Sequence, residues 1–198
     1  MESNSDNETR VDAGPDPNFS WFRLYKQVSY LGFQAFFVYF VTFTLFPGTF
    51  LATKFDFLDN NSSRESWFDI LMVTIYAVID FIGRWQANWW VPFNPKTVIY
   101  LTLVRAIHFP LCIMIQLACP PAWLFQSDWF RILNVSIFGW TQGYNTALVM
   151  MYGPQQIKSN EKEKAGIIMN FHLMAGICLG TWIQAFGMKE IPQHSKYD

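Results

Sequence analysis

Five runs of mostly apolar residues, each about twenty residues long or longer, set the terms for this chain of 198 residues. At a rise of about 1.5 Å per residue, each run is long enough to cross the roughly 30 Å of hydrocarbon in a bilayer as a helix. The runs fall at about 28–51, 67–90, 97–118, 129–152 and 165–186. Hydrocarbon satisfies no backbone N–H or C=O group, so each run must close its own hydrogen bonds, and the short connections then favour an up-and-down bundle. The expected fold class is all-α: a polytopic membrane protein with a five-helix bundle over 28–187. A polar lead over 1–27 is expected to be a disordered cytosolic segment, and 188–198 a short polar tail.

Composition supports this reading. The chain is 52% hydrophobic and 19% aromatic but only 15% charged, against about a quarter charged in soluble domains. A net charge of -1 argues against a nucleic-acid partner. No apolar core follows a basic start, so no cleaved signal peptide is expected. Cys112, Cys119 and Cys178 lie in or beside apolar runs, which favours buried free thiols over disulfides. Trp67, Trp89, Trp90, Trp123 and Trp129 cluster at the predicted ends, as interfacial aromatics do. With the N-terminus inside, seven basic residues fall inside and four outside, which predicts a cytosolic N-terminus and an extracellular C-terminus. The overlapping sequons at Asn60 and Asn61 then lie outside.

The polar residues within the runs are the candidates for function. Asp80 and Arg84 lie one turn apart inside the second run, where a charge costs about 2.5–3.5 kcal/mol on insertion scales. Their spacing puts them on one helix face, where they partly neutralise each other. Tyr76, Asp80, Arg84 and Asn88 recur every fourth residue and form one slanted stripe. On the fourth run Asn134, Thr141 and Asn145 share a face, with Gln142 beside them. Facing each other, the two stripes would make a hydrogen-bonding cleft for a neutral, polyhydroxylated solute. Asp80 would accept from hydroxyls and Arg84 would donate in a fork. The alternative is an ion pair that only locks helices together.

Other features point to structure. Phe46-Pro47-Gly48 breaks the first run, as a gate hinge or simply a helix end. Gly176 and Gly180 form a small-xxx-small pair suited to close helix packing. Arg105, deep in the third run, is expected to be satisfied by carbonyls around a Pro110 kink or by snorkelling. His108 and His172 read as packing residues. No residue spacing resembles a metal site, no glycine loop would cradle phosphate, and no nucleophile stands beside a base. No enzyme activity and no cofactor are expected.

The elements LFPGTFLATKF, YAVIDFIGRW, LTLVRAIHFP, GWTQGYNTALVMMYGPQQIK and EKAGIIMNFHLMAGICLG follow in that order over about 28–186. Together they resemble the C-terminal half of an equilibrative nucleoside transporter. The resemblance implies the five-span C-terminal bundle of an eleven-span, major-facilitator-like transporter, which carries nucleosides and in some members nucleobases by alternating access. Asp80 and Arg84 match the pair implied to hold the ribose hydroxyls. Phe46 and Pro47 match the Phe-Pro of the outer gate, Ile177 a residue bordering the base, and Glu163 an acid implied in closing the cytosolic side. Tyr76 and Asn145, read from the stripes, complete the expected substrate contacts. Two positions depart from the pattern: Ala77 stands where many members have asparagine, and Gln142 replaces an asparagine.

The six-span N-terminal bundle of that family has no counterpart among these residues. The chain is therefore expected to act with such a bundle or with another copy of itself, in a lipid bilayer, the plasma membrane being the default. A fragment of a longer transporter, or a homologue that has lost transport, would account for the same composition. The rival functions are a non-transporting subunit that modulates a full-length transporter and a receptor-like nucleoside binder. Arg84 beside Asp80 disfavours a proton-carrying role for the carboxylate.

Overall fold

The computed structural model describes residues 20–46, 48, 62–116 and 127–187, which are helical with short turns. Helix α1 is Trp21–Leu45, α2 Ser62–Gln86, α3 Val98–Ala106, α4 His108–Gln116, α5 Asp128–Gln155 and α6 Lys162–Gly187. A 3-10 turn, Ser159–Glu161, leads into α6. Pro47, the sequons at Asn60 and Asn61, and Cys119 lie outside the described residues.

Local chemistry sets the breaks. Phe46 is extended, at φ -114° and ψ 136°, the conformation that a following proline imposes. Helix α1 therefore ends at Leu45, and it begins at Trp21, ahead of the start read from hydropathy; the end of the first run, apart from helical Gly48, lies outside the described residues. The third run is two helices that meet at Ile107. Pro110 has no N–H for the Ala106 carbonyl, and its ring crowds that carbonyl. Helix α2 ends at Gln86, so Asn88 lies in the turn after it and not on the stripe.

The helices pack as two intimate pairs, α1 with α6 and α2 with α5, and α5 also contacts α1 and α3. Glycines make both pairs close. In α5, Gly139 abuts the Tyr76 carbonyl of α2 and Gly143 the Asp80 carbonyl. From α2, a Cβ at Gly83 would stand 2.6 Å from the Trp140 carbonyl oxygen. In α6, Gly176 and Gly180 abut the Phe36 and Phe40 carbonyls of α1, the packing role their spacing predicts.

The interior is unusually polar and the surface unusually aromatic. Gln34, Thr42, Arg105, Asn134, Thr141, Gln142 and Asn145 are buried, while Phe22, Phe81, Trp129, Phe171 and Trp182 face outward. That inversion suits hydrocarbon, where polar groups must find partners inside the bundle. By length and composition, Trp21–Leu45 and Ser159–Phe186 are apolar enough to cross a membrane, and Val98–Cys112 is a shorter apolar helix. Helices α2 and α5 carry more charged and polar residues, among them Asp80, Arg84, Asn134, Gln142 and Asn145.

Candidate functional site

The Asp80–Arg84 pair is built on α2. Arg84 Nε donates to Asp80 Oδ2 at 2.8 Å, and Nη2 to Oδ1 at 3.3 Å. This is the two-point fork that a guanidinium and a carboxylate form. The Asp80 side chain is 17% exposed and that of Arg84 40%, so the pair sits at the edge of the bundle rather than inside it. The Tyr39 side chain of α1 interacts with the same guanidinium. Beneath the pair, the backbone of Asp80 and Arg84 rests on Gly143. Nearby, Trp140 Nε1 donates to Gln86 Oε1 at 2.8 Å. The fork uses two of the five guanidinium N–H groups and leaves carboxylate lone pairs free, so it can both donate to and accept from neighbouring hydroxyls.

Tyr76, one turn from Asp80, stacks on Phe46 with ring centroids 4.3 Å apart. Two of the residues read from sequence, one from the stripe and one from the Phe-Pro element, are thus in direct contact.

The expected cleft between two polar stripes does not form. The face that α5 turns to α2 carries Gly139 and Gly143. Thr141 and Asn145 each lie two residues further on, about 200° round the helix. That face meets α1 and α3 instead. Asn145 Nδ2 donates to Thr102 Oγ1 at 3.0 Å, and that hydroxyl donates to Gln34 Oε1 at 3.2 Å. Asn134 Nδ2 lies 4.0 Å from Cys112 Sγ. Asn145 is 1% exposed, so it belongs to the interior network rather than to the open edge beside Asp80.

Arg105 organises that network. It is fully buried, and Nη1 donates to the Phe138 carbonyl at 3.0 Å and to Thr141 Oγ1 at 2.9 Å. Nη2 donates to Thr42 Oγ1 at 2.6 Å, and the guanidinium carbon sits 4.2 Å from the centroid of the Phe138 ring. The Thr42 hydroxyl in turn lies 2.6 Å from Gln142 Oε1 and 2.7 Å from the Val38 carbonyl. Arg105 thus neither snorkels nor uses carbonyls around Pro110. A cation locked inside the bundle selects acceptors on α1 and α5, and this is why the α5 stripe turns inward.

Ile177 is half-buried on α6, one residue past the Gly176 contact with α1. It is therefore on the α1–α6 pair, whereas Asp80 and Arg84 are on the α2–α5 pair. Glu163 is exposed on the first turn of α6. The acid paired at that end is Glu161, which bonds Arg23 at 2.8 Å with its own side chain 3% exposed; nothing in the sequence spacing singles it out. A cavity of about 470 Å³ lined by Tyr25, Ser29, Tyr30, Phe33, Gln34, Ile99 and His172 opens along α1. On α6, His172 and Ile177 point about 140° apart. His172 serves packing there, stacked on Tyr25 with centroids 5.5 Å apart. No group of acidic, histidine or cysteine side chains suited to a metal occurs among the described residues.

The sequence model of the nucleoside transporter family matches residues 2–188. The chain belongs to that family. Members are membrane transporters, not enzymes. Human equilibrative nucleoside transporter 1 is 26% identical over 161 residues, which span 79% of this chain and 35% of that protein. Equilibrative nucleotide transporter 8 of Arabidopsis thaliana is 29% identical over 148 residues, 74% of this chain and 36% of that protein. Zebrafish (Danio rerio) equilibrative nucleoside transporter 4 is 28% identical over 143 residues, 72% of this chain and 26% of that protein. The chain thus spans about a third of the length of the curated relatives it matches. The family match also takes in the polar lead, to which the motif resemblance does not extend.

Proposed function

We propose that this chain supplies the C-terminal, five-span bundle of a facilitative nucleoside transporter working by alternating access, with a major-facilitator-like partner bundle opposite it. Asp80 and Arg84 hold the ribose hydroxyls, and Tyr76 and Ile177 line the solute's path. Phe46 and Pro47 work at the outer gate and Glu163 at the inner one. All five segments cross the membrane, taken as the plasma membrane, with the N-terminus cytosolic and the C-terminus extracellular. The carrying observation is the forked Asp80–Arg84 pair, held on a glycine-packed helix yet left partly exposed. The fork closes within α2, with Tyr39 of α1 beside the guanidinium, and it leaves hydrogen-bonding capacity at the exposed edge.

The test is uptake of labelled uridine and adenosine in cells making this chain together with a six-span N-terminal half. Asp80→Asn keeps the size of the side chain and removes the charge. It should reduce uptake about tenfold or more, the weight of one charge-assisted hydrogen bond. Undiminished uptake in that variant, at equal surface abundance, removes Asp80 from the substrate site. The second reading is a non-transporting subunit that modulates a full-length transporter. It prevails if no partner half gives uptake while the chain co-purifies with an intact transporter and alters its rate.

A further inference from the structure

The proposed gate and clamp both lie near a residue that touches neither. Arg105 stands on α3, the short helix behind α1 and α5. One side of its guanidinium grips Thr42, the residue one turn before Phe46 on α1. The Thr42 carbonyl accepts the Phe46 N–H at 2.7 Å, the last backbone bond before the helix gives way to the extended Phe46. The other side grips the Phe138 carbonyl and Thr141 on α5. Phe138 lies against Tyr76, centroids 6.1 Å apart, and the next residue, Gly139, abuts the Tyr76 carbonyl. Two routes therefore lead from one guanidinium to the two partners of the Phe46–Tyr76 stack.

We infer that Arg105 is a positioning residue for the outer gate: it fixes the end of α1 relative to α2 and thereby sets Phe46 against Tyr76. Only a planar fork can do this. The donors that reach α1 and α5 leave different nitrogens in fixed directions, while the ring of Phe138 accepts the flat face of the same group. A lysine ammonium is a point charge that reaches one side or the other. The consequence for transport rests on the proposed gate role of Phe46, but the positioning itself does not.

Disulfide cross-linking tests the positioning without any transport. The native cysteines are replaced by serine, and Phe46→Cys with Tyr76→Cys is introduced in the full chain. A second pair, Tyr25→Cys with His172→Cys, reports on the α1–α6 contact at the other end of α1. Arg105→Met should slow closure of the 46–76 pair about tenfold, the weight of one charge-assisted bond. Arg105→Lys should slow it less, and the 25–172 pair should close at its original rate. Thr42→Val, which removes only the α1 side of the grip, should also slow the 46–76 pair; it stands in if Arg105→Met does not fold. The inference is overturned if the 46–76 rate is unchanged in folded Arg105→Met or in Thr42→Val. It is equally overturned if both pairs slow together, because Arg105 would then serve the whole bundle. With a partner half present, Arg105→Met should lower the maximal rate of uridine uptake and leave its KM near the original. Absence of any uptake in the parent chain would count against the transport reading and leave the cross-linking result intact.

Discussion

Glu161 and Arg23 sit 138 positions apart in sequence and meet at 2.8 Å. The carboxylate is nearly enclosed and the guanidinium about half exposed, with side-chain exposures of 3% and 42%. Water therefore screens one partner and not the other, which places the pair between a surface bridge and a buried one. Glu161→Gln keeps an acceptor and removes the charge. It should lower stability by roughly 1 kcal/mol, read as a shift in the denaturant midpoint of the detergent-solubilised chain. Exposed Glu163, two residues on, should give no shift with the same substitution. Proximity in sequence conceals the difference between these two acids, because only the 3-10 turn before α6 rotates Glu161 inward. The same holds for Asp80 and Arg84 in reverse. Their pairing follows from a spacing of four, and no other element is needed to close it.

Among the elements, α5 carries two different faces at once. Its glycine face lets α2 approach until backbone meets backbone, and its polar face takes the bonds of Arg105 and Thr102. Gly143→Ala puts a methyl group into the Asp80 carbonyl. The result should be a loss of about 2 kcal/mol or more and displacement of the Asp80–Arg84 pair, so that, on the proposed function, stability and uptake fall together. Gly166 offers the contrast, since a Cβ there meets nothing within 4 Å. Gly166→Ala in α6 should stabilise the chain by about 0.4–1 kcal/mol, seen as a higher midpoint in the same unfolding experiment. The spacing of Gly139 and Gly143 is visible in GWTQG, as that of Gly176 and Gly180 is in GICLG. Which neighbour each pair admits is not, because small residues permit approach without choosing a partner.

At the scale of the whole molecule, the bundle is two glycine-packed pairs joined through a polar centre. Such an interior makes sense in lipid, where apolar contacts between helices gain little over contacts with acyl chains and internal hydrogen bonds set the arrangement. Asp80 and Arg84 lie partly exposed at the edge of this body. On the proposed function a second bundle covers that edge. Purified chain in proteoliposomes should therefore give uridine flux at background. Co-reconstitution with a six-span half should give saturable uptake that the half by itself lacks. Saturable flux from the chain alone would mean that copies of it cover the edge for one another.

Much about this protein follows from sequence alone, because it depends on neighbours within one or two helical turns. The runs of apolar residues, the breaks at Phe46-Pro47 and near Pro110, the ion pair of Asp80 with Arg84 and the close-packing glycines are all of this kind. The family signature is equally local, a series of short elements in order. Facing is another matter. Whether the Asn134, Thr141 and Asn145 stripe lines a cleft or serves the interior depends on where a third helix places its charge. Arg105 decides that in favour of the interior, bringing Thr42, Phe138 and Thr141 round one guanidinium. A buried cation must collect its acceptors from whichever helices surround it, and only the packed bundle says which those are.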